Sequence, residues 1–551
     1  MKSPVTLTFL GGLGQIGRNC AALETENRII LLDCGQMFPD NLPGVDAILP
    51  DFSWVLEHSN QVEGCIITHA HEDHIGGLPY LLKEADFPIY GSRFTLGMIQ
   101  SKLDYAGIRG VKTFELNDYD QKTIGPFDCE FLPVTHSTPS GLMTIFNTPQ
   151  GAIVHSSDFK LDLTPIDGRV TDLARLKEIS QKSGIRLLLA DSTNAGSSGK
   201  TSSESEIGPV LDKIFSDHEN QRIIVAAFSS HIHRIQQIAD TAKNAGRTLV
   251  ILGPSMQRNV TLARELGLLK ISDRMISSPE EIETLDHKKI CIVCTGSQGE
   301  QRAALAQLAD NTHRQVTIGE GDTVVFSSHP IPGNEAAVSK LHNDLALLGA
   351  QIVHSGQLEV HTSGHGKREE LIELHQSVEA EFFIPVHGEY THLLDHHKLA
   401  IENGTDEKNV MLCTDGDQVC LTEEGLEKIQ RVSDRKVMVD HQGECVSEEL
   451  LKERVSLIGD GFVFVRVVID RESGTLFQDP VVESRGWVEP EDRETWTKEV
   501  SKAVVSAVQT SLDGGERDLS QIRRQVRRAT GQLVSERTGR RPVLIPVVEE
   551  P

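Results

Sequence analysis

Two rhythms of apolar and polar residues divide the chain. Through about residue 205, short apolar runs such as Val5–Leu10, Ile29–Leu32, Cys65–Ile67, Phe131–Val134 and Ala152–Val154 are bounded by turn-forming residues, which predicts strands; Arg93–Leu103 reads as a helix among them. Next comes an amphipathic stretch, Ser202–Phe215, opening with a Ser/Glu capping pattern. A buried strand at Arg222–Phe228, a helix at His233–Ala245 and a strand at Thr248–Leu252 follow. This strand-helix-strand alternation predicts a doubly wound α/β insert ending near residue 375. The apolar run Phe382–Val386 then returns the chain to the first domain. From about residue 446 the character changes to a strand, Gly461–Ile469, and two helices, Trp496–Ser511 and Leu519–Arg537, the second carrying Arg523, Arg524, Arg527 and Arg528.

The apolar runs end in metal-ligand chemistry. Directly after Cys65-Ile66-Ile67 comes T-H-A-H-E-D-H-I-G-G, which packs His69, His71, Asp73 and His74 into six residues. Imidazole and carboxylate suit zinc. Alternation along an extended segment points His69 and His71 the same way. Asp73 and His74 lie past the strand end, where the chain can turn and aim them at a second ion, and Gly76-Gly77 lets the backbone turn. A site with two metals needs more donors, and other runs deliver them: His136 after Phe131–Val134, His155 and Asp158 after Ala152–Val154, and His387 after Phe382–Val386.

The order of these motifs resembles the metallo-β-lactamase superfamily and, within it, the β-CASP nucleases. The strings G-G-L-G-Q-I-G-R-N, L-P-G-V-D, D-S-T-N-A, C-T-G-S-Q-G-E, I-P-G-N-E and P-V-H-G-E-Y are similar to the bacterial ribonuclease J family along almost the whole chain. The resemblance implies a first zinc on His69, His71 and His136, a second on Asp73, His74 and His387, and Asp158 bridging them. It implies Asp33 as an outer carboxylate orienting the site, and Asp191, His365 and His387 as the β-CASP motifs. The fold it implies is an αββα sandwich in two parts, residues 1–205 and 376–445, with a β-CASP insert at 206–375 and a linker with a small α+β domain at 446–551. Three positions depart from the family pattern: Pro254 where Arg is expected, His231 where Asn is usual, and Ser157 in place of a Gly.

A rival motif stands near the N-terminus. Gly12-Leu13-Gly14-Gln15-Ile16-Gly17 satisfies the dinucleotide-binding fingerprint, but a second apolar strand follows within a few residues and leaves no room for the required helix. It reads as a turn between strands. Cys291-Ile292-Val293-Cys294 is the only C-x-x-C pair and reads as two strand residues; of the nine cysteines, several lie inside apolar runs (Cys34, Cys65, Cys291, Cys413), which suits reduced, buried thiols.

With 551 residues the chain exceeds what one core serves. No run of about 18 apolar residues occurs, and Met1-Lys2-Ser3-Pro4 lacks a signal-peptide layout, so a cytoplasmic protein without a membrane partner is expected. A net charge of −26 opposes a nucleic-acid ligand unless metal ions and local cations neutralise phosphate inside a groove.

The expected function is a zinc-dependent ribonuclease in RNA decay and maturation, with two zinc ions per chain or manganese in their place. By resemblance it acts 5′ to 3′ on 5′-monophosphate ends, with some internal cleavage, and self-associates as a dimer or tetramer through its C-terminal domain, with RNA-decay partners. Asp73 and Asp158 position the attacking water, and His365 stabilises the phosphoryl oxygens. Ser363, Gly364, His365 and Gly366 form an anion nest, and Ser229, Ser230, Ser327 and Ser328 add hydroxyl donors. Two alternatives stand beside this reading: a non-catalytic RNA-binding or scaffolding subunit, and a DNA nuclease of the same superfamily.

Overall fold

The computed structural model describes residues 2–39, 42–331 and 333–551; Met1 and Pro332, which fall in the quoted N-terminal and I-P-G-N-E strings, lie outside them. Two sheets face each other in the first part of the chain. One has eight strands in the order Leu426–Arg431, Asp417–Leu421, Val5–Gly11, Cys20–Thr25, Arg28–Leu32, Val62–Ile66, Ile89–Gly91, Thr113–Glu115. The other has six, in the order Phe382–Val386, Ile185–Asp191, Gly151–His155, Leu142–Thr148, Phe127–Pro133, Gln121–Ile124.

Strand alternation assigns each apolar side chain to a layer. Ile30, Leu32, Leu7 and Phe9 meet Phe131, Phe146, Ile153 and Leu189 between the sheets. Ile29 and Leu31 turn outward under Phe94, Met98 and Ile99 of the helix Arg93–Tyr105. On the far side, Val154 and Leu188 pack against Leu176 of the helix Leu173–Ser183 and Leu371 and Leu374 of Arg368–Val378. Helix, sheet, sheet, helix is the αββα sandwich.

The insert is a six-stranded sheet in which every pairing is parallel, in the order Ile276–Ser277, Thr248–Leu252, Ile290–Cys294, Arg222–Ala226, Asp322–Phe326, Gln351–His354. Its helices lie on both faces: Ile223, Val225 and Val293 contact one set and Ile224, Ala226 and Ile292 the other. Cys291 and Cys294 belong to opposite faces of this sheet, so they cannot share a metal ion. The turn Gly12–Gly17 holds a two-residue strand and no helix. Gly12, Gly14 and Gly17 have φ of 96°, 88° and 106°, and buried Arg18 donates to Asp415 at 2.9 Å, which anchors the turn. The dinucleotide reading fails on this geometry.

A buried ion pair ties both crossings between sandwich and insert to one helix. Arg234, on the helix Ile232–Asn244, donates to both carboxylate oxygens of Glu204 at 2.7 and 2.8 Å on the entering segment, and to the Val360 carbonyl at 2.8 Å on the returning one. Burial alone pushes the Glu204 carboxyl up, and Arg234 and His231 more than offset it. Glu204 is therefore an ion-pair partner, while Ser203 caps the segment by accepting from Ser205 N.

A second compact unit begins at Met438. Its sheet centres on Phe462–Asp470, flanked by Val481–Arg485 and Val543–Glu549, and is covered by the helices Arg493–Asp513 and Leu519–Thr538 around Val465, Val467, Trp487, Val504 and Val526. Among the described residues no helix is long and apolar enough to cross a membrane.

Replacing Arg234 by Met leaves Glu204 buried without its partner, which destabilises the insert by about 3–5 kcal/mol. Hydrogen exchange of the Asp322–Phe326 amides accelerates accordingly; unchanged protection contradicts the clamp.

Candidate metal centre

Six strands of the two sheets end at one place. Asp33 follows Arg28–Leu32, Thr68–His74 follows Val62–Ile66, His136 follows Phe127–Pro133, Asp158 follows Gly151–His155, Asp191 ends Ile185–Asp191, and His387 follows Phe382–Val386. Three of these ends bend sharply: Asp33, Ser157 and His387 have φ of 59°, 59° and 54°. This left-handed conformation costs a side-chain-bearing residue energy and persists only where the surroundings impose it. Ser157 adopts it in the position where a Gly was expected.

The seven predicted donors converge in two groups sharing one carboxylate. His69, His71, His136 and Asp158 form the first, and Asp73, His74, Asp158 and His387 the second; within each group the donor atoms lie within 4.8 Å of one another. Asp158 Oδ2 is 3.5 Å from His69 Nε2, 3.3 Å from His74 Nε2 and 3.4 Å from His387 Nε2. His69, His74, His136, Asp158 and His387 are buried, while His71 and Asp73 are half-buried.

Partners outside the cluster dictate which outer nitrogen of four rings carries a proton. Asp33 accepts from the Thr68 hydroxyl at 2.9 Å, so the Thr68 oxygen accepts from His69 Nδ1 at 3.0 Å. His74 Nδ1 donates to Asp33 at 2.8 Å, and His136 Nδ1 donates to the Gly364 carbonyl at 2.8 Å. The Thr193 hydroxyl donates to Asp191 at 2.8 Å and accepts from His387 Nδ1 at 2.7 Å. His71 Nε2 lies 3.4 Å from Ser137 Oγ, which leaves Nδ1 facing inward. Five imidazoles thus turn their second nitrogen toward each other and toward two carboxylates. His71 Nδ1 stands 3.1 Å from both His69 Nε2 and His136 Nε2, and one proton cannot satisfy all three nitrogens as a cation between them would. The donor set fits metal ions on this ground.

Titration follows the same division. Burial, aided by neighbouring imidazoles, holds His69 and His136 well below the usual histidine range, and His71 falls to about 4. Burial also lowers His74 and His387, but the facing carboxylates, Asp158 first, more than reverse it and raise both. Asp73 and Asp158 are held low because nearby histidines outweigh burial.

The β-CASP residues form the outer wall. Asp191 accepts from His365 Nδ1 at 2.7 Å, and with His387 these two make a third close group. Against burial, Asp191 raises the His365 imidazole. The His365 loop is held by Asn194, which donates to Ser363 Oγ and the His365 carbonyl, both at 2.9 Å. Gly364 has room for no side chain, since a Cβ there would sit 2.6 Å from the His136 ring. Of the expected nest, the His365 N–H bonds to Ser363 Oγ and the Gly366 N–H to the Phe159 carbonyl. Ser229 lies past the strand Arg222–Ala226, with Ser230 beside it, and accepts from Asn259; neither joins the donor groups. Ser327 spends its hydroxyl on the Val360 carbonyl, and Ser328 pairs with Gln298.

Sequence reasoning missed Asn19. Its Nδ2 contacts Asp73 Oδ2 and His74 Nε2, each at 3.1 Å, and it stands there because the Gly12–Gly17 turn delivers it. Thr68, Thr193 and the Gly364 carbonyl were missed as well; their partners are set by folding and leave no local signal beyond the strings that contain them.

Comparison with known proteins agrees along the chain. Residues 27–174 match the beta-lactamase superfamily domain, 220–345 the ribonuclease J beta-CASP domain, 357–412 the Zn-dependent metallo-hydrolase RNA specificity domain, and 449–551 the ribonuclease J C-terminal domain. Ribonuclease J 1 of Streptococcus pyogenes is 35% identical over 98% of this chain and 97% of its own length. Ribonuclease J of Thermus thermophilus is 37% identical over 99% and 95%, and that of Helicobacter pylori 37% identical over 91% and 73%. A crystal structure of a protein of unknown function from Enterococcus faecalis covers 76% of this chain and all of its own at a TM-score of 0.53 and 16% identity, a likeness of fold.

Because His74 and His387 are raised, protons compete with metal at these nitrogens, and the competition grows as pH falls. Metal titrations at rising pH show tightening affinity with proton release; a pH-independent affinity contradicts the assignment.

Proposed function

This chain belongs to the ribonuclease J family, and on that premise we propose that it hydrolyses RNA from 5′-monophosphate ends in the 5′ to 3′ direction, with some internal cleavage, using two zinc ions. It is a metal-dependent ribonuclease. The observation that carries the two-metal reading is the pair of donor groups sharing Asp158, while the direction and the preferred 5′ end rest on the family alone. His69, His71 and His136 would hold one ion and Asp73, His74 and His387 the other, with Asp158 belonging to both donor groups. Manganese suits the same mixed imidazole and carboxylate set. Bound ions supply charge neutralisation at the phosphate and lower the pKa of water.

The chain's own residues do the rest. Asp33, Thr68, Thr193 and the Gly364 carbonyl keep protons on the outward nitrogens, so the inward ones stay available. Asp73 and Asp158 accept hydrogen bonds from the attacking water and orient it toward phosphorus. His365, its Nδ1 tied to Asp191, presents Nε2 to a phosphoryl oxygen as a donor, where charge builds in the transition state. The convergence of all seven donors favours catalysis over a scaffolding role. The division at residues 205, 375 and 445, and a dimer or tetramer formed through residues 446–551, complete the proposal.

His71→Ala abolishes hydrolysis of 5′-monophosphorylated RNA and lowers metal content, whereas His365→Ala lowers kcat by about 10²–10³ with metal content unchanged. Undiminished hydrolysis in His71→Ala refutes the site, and metal loss in His365→Ala refutes the donor role. On RNA labelled at its 5′ end, the proposal predicts that labelled mononucleotide appears first and that a 5′-triphosphate slows it; labelled fragments of intermediate length as the first products, with no difference between the two ends, contradict the directional reading.

A further inference from the structure

The exposed face of the helix Leu519–Thr538 concentrates positive charge in a strongly acidic chain. Residues 449–551 hold 16 Lys and Arg against 18 Asp and Glu, whereas residues 1–448 hold 38 against 62. Between Asp518 and Glu536 there is no acidic residue, and Arg523, Arg524, Arg527 and Arg528 all stand exposed there. The helix is seated by its opposite face, where Ile522, Val526, Thr530 and Val534 are buried at four-residue intervals. The arginines are therefore not needed to dock it.

Their arrangement works against the helix that carries them. Arg523 with Arg527, and Arg524 with Arg528, are like-charge pairs at i, i+4, a spacing that opposes helix formation. Internal acids do little to offset this. Among the described residues Arg523 and Arg528 have no ion-pair partner, Arg524 is balanced only through Asp518 at the helix start, and Arg527 is held by donating to the Leu544 carbonyl at 3.1 Å. Several other exposed cations of the same unit are paired, as Arg466 is with Glu549, Arg537 with Glu499 and Lys498 with Glu494, although among the described residues Lys502 and Arg541 are not. The guanidinium fork matches phosphate oxygens two at a time.

We propose that this face binds the phosphate backbone of single-stranded RNA, engaging a stretch of the substrate beyond the nucleotides in the metal site. The inference rests on the ribonuclease reading. It resolves the conflict between an acidic chain and a polyanionic substrate, since backbone binding needs a local basic face and not a basic protein.

The test uses the full-length, metal-loaded chain and its variant Arg523→Gln/Arg524→Gln/Arg528→Gln, compared on a long single-stranded RNA and on a trinucleotide over a series of salt concentrations. The proposal expects KM for the long RNA to rise about tenfold and the slope of log KM against log salt to become shallower by about 2, three phosphate contacts at about 0.7 each. Trinucleotide hydrolysis stays unchanged, and the corresponding triple Arg→Lys variant keeps most of the slope. If the long RNA keeps its KM and its slope, or both substrates lose activity alike, the inference is overturned while the ribonuclease reading stands. If the unmodified chain hydrolyses neither RNA, the reading beneath the inference falls, and the inference with it.

Discussion

The structure depends on where four protons sit. Four histidines of the centre hand one ring proton to a partner outside the cluster: His69 to Thr68, His74 to Asp33, His136 to the Gly364 carbonyl and His387 to Thr193, while His71 Nε2 lies beside the Ser137 hydroxyl. The opposite nitrogens then face one another alongside Asp73 and Asp158, where the carboxylates raise His74 and His387 and a proton or a metal ion competes for the same position. In a protein without metal chemistry that arrangement would be costly, because buried polar atoms of the same sign repel and go unsatisfied. Here it defines a cation-shaped space, and the fold supplies the outer partners that keep it so.

Those partners come from both parts of the fold. Asp33 and Thr68 stand at the ends of adjacent strands in one sheet, Thr193 just past a strand end in the other, and Gly364 on the segment returning from the insert. The Glu204–Arg234 clamp fixes the insert's entering and returning segments together, so the loop that brings Gly364 to His136 and His365 to Asp191 is tied to the body of the insert. Insertion of one domain into another is thus part of how the site is built: the returning segment completes it.

Much of this was legible from local pattern. The H-x-H-x-D-H loop, and the habit of apolar runs ending in His or Asp, mark strand-end ligands because alternation and strand length are local properties. The same holds for the doubly wound insert and for the absence of a helix after Gly12–Gly17. Resemblance to known nucleases added Asp33, Asp191 and His365, which no periodicity singles out. What stayed hidden is non-local. Asn19 reaches Asp73 and His74 across more than fifty positions, Gly364 is required by the His136 ring, and Glu204 is claimed by Arg234 from thirty positions away. The left-handed backbone at Asp33 and His387 is likewise imposed by surroundings that the residues themselves do not announce.

The central claim is that these seven donors enclose two ions sharing one carboxylate. Anomalous diffraction at the zinc edge, on crystals of the full chain grown with zinc, tests it most directly. The account predicts two peaks flanking Asp158, one among His69, His71 and His136, the other among Asp73, His74 and His387. A single peak, or peaks away from Asp158, would contradict it.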